Sequence, residues 1–153
     1  MTQNSFETAA ASGQEPAHFG CPTALVIDDD HTVRESLEIL LEHYGFQVAV
    51  ARNGRQGMAA FRTLAPDVVL TDIMMPEQDG IETIAAMRRE RPDAKIVAMS
   101  GGDAFGNPNY LRMAVTLGAD RGVAKPLSAQ ELASILSTIV PPVPSFAAQS
   151  AVA

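Results

Sequence analysis

"TALVIDDDHTVRESLEILLEHYG" (residues 23–45) sets two patterns back to back. The first six residues form a short run that is apolar on both faces and too short for a helix. Such a run suits a strand buried on both sides, as in a parallel sheet. The period then changes. Val33, Leu37, Leu40, Leu41 and Tyr44 share one stripe of a helix predicted over 32–44, and Gly45 closes it. Thr32 and Glu35 read as a T-x-x-E capping box at its start. Between strand and helix stand three adjacent carboxylates, Asp28, Asp29 and Asp30. Like charges packed this closely repel. They hold a metal for phosphate chemistry, or they cap a turn.

The alternation continues along the chain. "FQVAVAR" (46–52), "DVVLTD" (67–72), "KIVAMS" (95–100) and "RGVAK" (121–125) repeat the strand signal. Helical spacing returns at 55–64, at 80–90, at about 108–117 and at 128–140. Ala65-Pro66, Arg91-Pro92, Gly118 and Pro141 end those four helices, and Ser128 with Glu131 forms a capping box for the last. Five strands alternating with five helices predict repeated βαβ units: an α/β fold with a doubly wound parallel sheet and helices on both faces. Such sheets bind ligands beyond the carboxyl ends of their strands.

Composition narrows the function. The chain has 153 residues, 46% of them apolar, with a net charge of −7. Nucleic-acid backbones demand clustered Lys and Arg, and here the densest group, Arg88, Arg89 and Arg91, is interrupted by Glu90 and reads as a solvated helix end. Nucleic acid is therefore not an expected partner. Cys21 is the sole cysteine, which excludes an internal disulfide. No secretory leader and no membrane-length apolar run is present, so no membrane association and a cytoplasmic location are expected. Residues 1–22 and 141–153 lack periodicity and read as flexible tails around one domain at 23–140. The second tail is too short and uncharged for a helix-turn-helix, so no DNA-binding output domain is expected.

The carboxyl ends of the predicted strands gather the chemistry. Strand one ends at Asp28-Asp29, strand three at Asp72, strand four at Ser100 and strand five at Lys125. Strand two ends in "ARNG" and offers nothing obvious. Clustered carboxylate oxygens suit a hard divalent cation such as Mg²⁺. A lysine and a hydroxyl suit phosphate oxygens. A carboxylate beside a metal can attack phosphorus and form an aspartyl-phosphate.

"ALVIDDDHTVRESLEILLEHYGF", "PDVVLTDIMMPEQDGIE", "KIVAMSGG" and "GADRGVAKPLS" resemble, in this order, a response-regulator receiver domain of two-component signalling. The resemblance covers about residues 23–140. It implies five parallel strands in the flavodoxin-like order 2-1-3-4-5. It implies Asp72 as phospho-acceptor, Asp29 as direct Mg²⁺ ligand and Asp28 as a ligand through water. The carbonyl of Met74 would complete the protein ligands. Ser100 resembles the switch hydroxyl and Lys125 the lysine that pairs with a phosphoryl oxygen. The Lys125-Pro126 bond is expected to be cis. The implied phosphodonor is a histidine kinase or a histidine phosphotransfer protein. The implied output is contact with a downstream protein, from a monomer or a phosphorylation-dependent dimer. A receiver is not an enzyme in the ordinary sense, although it assists its own phosphorylation and dephosphorylation.

Other polar residues take plainer roles. Asp30 helps start the first helix, Asp79-Gly80 makes a turn, and Met74 and Met75 pack. His31 reads as a loop or cap histidine rather than a ligand, and His18 and His43 have no partner in the pattern. Two departures from the family pattern stand out. Gly122 occupies the place, three before the lysine, where the family commonly has an aromatic that moves with the switch hydroxyl. The stretch "SGGDAFGNPNYLRMAVTLG" (100–118) is also longer than the family pattern. Its Gly101 and Gly102, with Phe105 or Tyr110 as the apolar element, are candidates for a replacement switch loop. The crowded acids lead to a further expectation, that Asp72→Asn raises the melting temperature without Mg²⁺.

Two other functions compete. A receiver can serve as a phosphate sink or as a phosphorylation-independent adaptor. Asp28-x-Asp30-x-Thr32 also resembles the first motif of haloacid-dehalogenase-type phosphatases, with Asp28 as nucleophile. That reading lacks the acidic pair expected after Lys125 and leaves the Asp72 motif unexplained.

Overall fold

The computed structural model describes residues 20–75, 80–101 and 109–140. Its five strands are β1 (Thr23–Ile27), β2 (Gln47–Ala51), β3 (Val68–Asp72), β4 (Ile96–Gly101) and β5 (Arg121–Lys125). The helices α1 (His31–His43), α2 (Gly54–Leu64), α3 (Gly80–Glu90), α4 (Asn109–Leu117) and α5 (Ala129–Ile139) alternate with them. The strands form one parallel sheet in the order β2-β1-β3-β4-β5.

Each inner strand feeds two cores, because successive side chains leave a strand on opposite faces. Leu25, Ile27, Val69, Ile96 and Ala98 pack with Met58 and Phe61 of α2, Ile84 and Met87 of α3 and Ala114 of α4. Ala24, Val26, Val68, Leu70, Val97 and Met99 pack with Leu37 and Leu41 of α1 and Leu132 and Leu136 of α5. This two-sided burial explains why the three inner strands read as unbroken apolar runs; β2 and β5, expected from their similar runs to be buried on both sides, lie at the sheet edges and are partly exposed. No helix among the described residues is long and apolar enough to cross a membrane.

Local chemistry sets the element ends. The Ser128–Glu131 capping box of α5 is present in both directions. At the first helix one expectation holds and another fails: Asp30 starts it, but Thr32 and Glu35 form no capping box. Its cap is Asp30, whose carboxylate accepts from the N–H groups of Thr32 and Val33, so Thr32 lies inside the helix and makes no capping box. An aspartate two residues earlier competes successfully because its carboxylate meets two orphan donors. Gly45, with φ of 91°, follows α1, and Ala65 takes the left-handed conformation after α2. Arg88 ties α3 to the far end of α4: its guanidinium donates to the Gly118 carbonyl at 2.6 Å and pairs with Asp120 at 2.9 Å.

Candidate functional site

The parallel sheet brings its carboxyl ends to one edge. Asp28 follows β1, Asp72 ends β3, and Lys125 ends β5 beside Gly101 of β4. Lys125 Nζ lies 2.5 Å from Asp28 Oδ2 and 3.1 Å from Asp72 Oδ2. One ammonium thus bridges two carboxylates that are almost wholly buried. Asp29, which is exposed, completes a group of three: one oxygen each from Asp28, Asp29 and Asp72 lies within 4.8 Å of the others.

The remaining oxygens are also held. Asp28 Oδ1 accepts the Asp30 N–H at 2.9 Å, and Arg34 of α1 donates to the Asp28 carbonyl at 2.7 Å. Asp72 Oδ1 accepts the Met74 N–H at 3.0 Å. Met74 itself is exposed. Among the described residues, Asp28 Oδ2 has no partner apart from the Lys125 ion pair.

Electrostatics follow from the burial. Loss of solvation pushes the Asp72 carboxyl above its ordinary pKa; the Met74 N–H and the Lys125 charge pull it back, and the Asp28 charge adds to the rise. Burial alone would lower the Lys125 ammonium, but the hydrogen bond to Asp28 and the charges of Asp72 and Asp28 outweigh it and hold the pKa high. Three carboxylates and one ammonium sum to −3 + 1 = −2. Hard oxygen donors with that residual charge fit a divalent cation of the Mg²⁺ type.

Ser100 lies next to this group. In β4 it stands one residue beyond Met99, the register partner of Asp72. Its hydroxyl makes a long 3.4 Å hydrogen bond to the Gly101 carbonyl and none to Asp72. The Lys125–Pro126 peptide bond is cis. In the proposed switch loop, Gly102 and Phe105 lie outside the described residues, Gly101 sits beside the Lys125 stem, and Tyr110 is exposed on α4.

Two residues matter more here than their sequence context suggested. Arg34 braces the backbone of Asp28 from one turn into α1. A polar residue on a helical stripe gives no sign of such a contact. Gly80 starts α3 against the backbone of Asp72: a methyl group there would lie 2.0 Å from the Asp72 carbonyl oxygen. The short spacing from Asp72 to the Asp79-Gly80 turn was the available signal, but a turn reading did not require contact.

Comparison with known proteins agrees with this geometry. The sequence profile of the response regulator receiver domain matches residues 24–137. The chain belongs to the response-regulator receiver family. It is 32% identical over 116 residues to the chemotaxis protein CheY of Thermotoga maritima, covering 75% of this chain and 94% of that one. It is 32% identical over 111 residues to the probable transcriptional regulatory protein TcrX of Mycobacterium tuberculosis, covering 72% of this chain and 46% of that one. The chain thus spans about half the length of several of the relatives it matches. Among solved structures, a receiver domain protein from Clostridium thermocellum superposes with a TM-score of 0.71 at 25% identity, covering 86% of this chain and 99% of that one. The response regulator TrrA of Thermotoga maritima, in complex with Mg²⁺ and BeF, superposes with a TM-score of 0.68 at 27% identity, covering 78% and 99%.

Proposed function

We propose that Asp72 accepts a phosphoryl group from a phosphohistidine of a histidine kinase or a phosphotransfer protein. A carboxylate oxygen of Asp72 forms the bond to phosphorus as the phosphorus–nitrogen bond breaks, and the imidazole leaves with the electron pair. Asp28, Asp29, Asp72 and the Met74 carbonyl would hold Mg²⁺, which when bound neutralises charge on the phosphoryl oxygens. Lys125 is placed to give one donor to a phosphoryl oxygen, and Ser100 another by turning away from Gly101. The supporting observation is the Lys125 bridge across Asp28 and Asp72 with Asp29 beside it. Both carboxylates have both oxygens engaged, but Asp28 holds Lys125 more closely, at 2.5 Å against 3.1 Å for Asp72, and its side chain is wholly buried, which favours Asp72 as the nucleophile. On this reading residues 23–140 are the receiver, residues 1–22 and 141–153 are tails, and the output is contact with a protein target.

Incubation with Mg²⁺ and acetyl phosphate, followed by intact mass and site mapping, tests the proposal. The expected result is one added phosphoryl group on Asp72, absent in EDTA and absent from Asp72→Asn. An adduct on Asp28 would revive the phosphatase reading. No adduct, together with no response to a beryllofluoride mimic, would leave the phosphorylation-independent adaptor.

One observation favours the phosphate sink as a second reading. At Gly122, where the family pattern commonly has an aromatic, a methyl group would come within 3.3–3.4 Å of the Leu111 side chain and carbonyl. Leu111 of α4 therefore takes up space over β5, and among the described residues no aromatic lies against Gly122 to move with Ser100. Gly122→Tyr should lower the melting temperature by about 2–5 °C, as expected for an overpacking cost of about 1 kcal/mol. Combining it with Leu111→Ala should show coupling above about 0.5 kcal/mol. Additive effects would mean that the glycine and the leucine do not share this space.

A further inference from the structure

We infer that the groove between α3 and α4 is a self-complementary contact through which two copies of this chain associate about a two-fold axis. The groove has a volume of about 530 Å³ and is lined by Glu82, Ala85, Ala86, Arg88, Arg89 and Leu117. It lies on the helical layer formed by α2, α3 and α4 and uses none of the acidic-site residues.

Three observations carry the inference. The first is exposed apolar surface. Tyr110, Met113 and Leu117 are 37%, 48% and 44% exposed, and they fall on one stripe of α4 at i, i+3 and i+7. The second is the charge order along α3. Glu82, Ala85, Ala86 and Arg89 share the outward stripe, opposite the buried Ile81, Ile84 and Met87. An acid stands near one end, a base near the other, and small residues lie between. Among the described residues neither Glu82 nor Arg89 forms an ion pair, although the Arg89 charge acts on the neighbouring Glu90, which Arg62 holds; the adjacent Arg88 is committed to Gly118 and Asp120. The third is level. Arg88 fixes the end of α4 beside the end of α3, which puts Leu117 near Arg88 and Met113 about 6 Å back along the axis, near the middle of α3.

These features satisfy a two-fold operation. Place the axis across the groove, midway between Ala85 and Ala86. The α3 helices of the two copies then run antiparallel. Glu82 of one copy faces Arg89 of the other, and the pair repeats by symmetry. Ala85 meets Ala86, and their small side chains let the helices approach. The α4 helices also run antiparallel, so Met113 of one copy meets Leu117 of the other. The same register satisfies the charges on α3 and the apolar residues on α4. A parallel arrangement would set Glu82 against Glu82 and Arg89 against Arg89. The apolar residues supply affinity, and the ion pairs select the register. A contact this small belongs to the weak, transient class.

Sedimentation equilibrium of the full chain, from about 1 μM to about 500 μM, tests the inference at the affinities expected of a weak interface. The expected result is a reversible monomer–dimer equilibrium. Leu117→Glu should weaken it by about tenfold or more, since it buries a charge against Met113. Glu82→Arg and Arg89→Glu should each weaken it by roughly tenfold, because each reversal removes two ion pairs and creates two repulsions. The double reversal should return to within about threefold of the parent. Far-UV circular dichroism establishes that each variant is folded; if Leu117→Glu is not, the exposed charge pair decides alone. A monomer throughout the range would overturn the inference, and would leave the groove to a different protein. A dimer indifferent to Leu117→Glu, or a double reversal no better than the singles, would overturn it as well.

Discussion

Lys125→Ala should lower the melting temperature in EDTA by about 10 °C or more. Lys125 stands between two carboxylates, and its own side chain is only 15% exposed. Removing one partner of a buried ion pair typically costs about 3–5 kcal/mol, because the partner left behind is desolvated and unpaired. Here two are left behind, Asp28 and Asp72, and they repel. For a domain of this size each kcal/mol moves the midpoint by about 3–5 °C. Asp72→Asn should act in the opposite direction. Burial raises the Asp72 pKa, so at neutral pH its ionised form weighs against the fold. Asparagine keeps the acceptor for the Met74 N–H and drops the charge. A gain of about 1 kcal/mol, or a few degrees, is expected. Mg²⁺ should narrow the gap between Lys125→Ala and the parent, since a bound cation replaces the missing positive charge. Thermal unfolding of the three proteins with EDTA and with MgCl₂ makes the comparison. If Lys125→Ala melts with the parent in EDTA, the ammonium is not what holds the acids together.

The inner strands were legible because burial on both faces leaves an unmistakable mark, whereas the edge strands β2 and β5 showed through apolar content alone and are partly exposed. A strand such as β3 has no polar face to hide, so its length and limits showed in its composition. The carboxyl-end logic then gathered Asp28, Asp72 and Lys125 although they are far apart in sequence, and the structure brings them together. Contacts that depend on interatomic distance were not legible. The sequence offered both Asp30 and Thr32 at the start of α1, and the choice of Asp30 as the cap rests on which side chain reaches the free N–H groups. The Arg34 brace on Asp28 depends on a rotamer. Leu111 over Gly122 is a steric substitution between two elements, visible only once α4 is seated on β5. In each case the sequence carried the residue type, while the meaning lay in the gap between elements.

Gly80→Ala should cost far more stability than a single methyl group normally does. The new Cβ would lie 2.0 Å from the Asp72 carbonyl oxygen, 2.6 Å from the Ile73 Cα and 2.9 Å from the Asp72 carbonyl carbon. All three are backbone atoms and cannot rotate aside. Relief requires α3 to lift away from the end of β3. Ile81, Ile84 and Met87, all buried, would be dragged from the core with it. The cost is expected at the upper end of overpacking, about 3 kcal/mol or more. Gly57→Ala provides the contrast. Its Cβ would also collide, but with the tip of the Ile27 side chain. A side chain can change rotamer, so the cost should stay nearer 1–2 kcal/mol. Phosphoryl uptake separates the two further. Gly80→Ala displaces Asp72 relative to Lys125 and should lower the rate of adduct formation with acetyl phosphate even at temperatures where the variant is folded. Gly57→Ala leaves the site backbone in place and should retain the parent rate. Melting curves and intact-mass time courses on both variants give the answer. If Gly80→Ala melts within about 2 °C of the parent, a loss of under 1 kcal/mol, the close approach of α3 to Asp72 is not a constraint on the fold. Equal uptake rates in the two variants would show that the position of Asp72 does not depend on it.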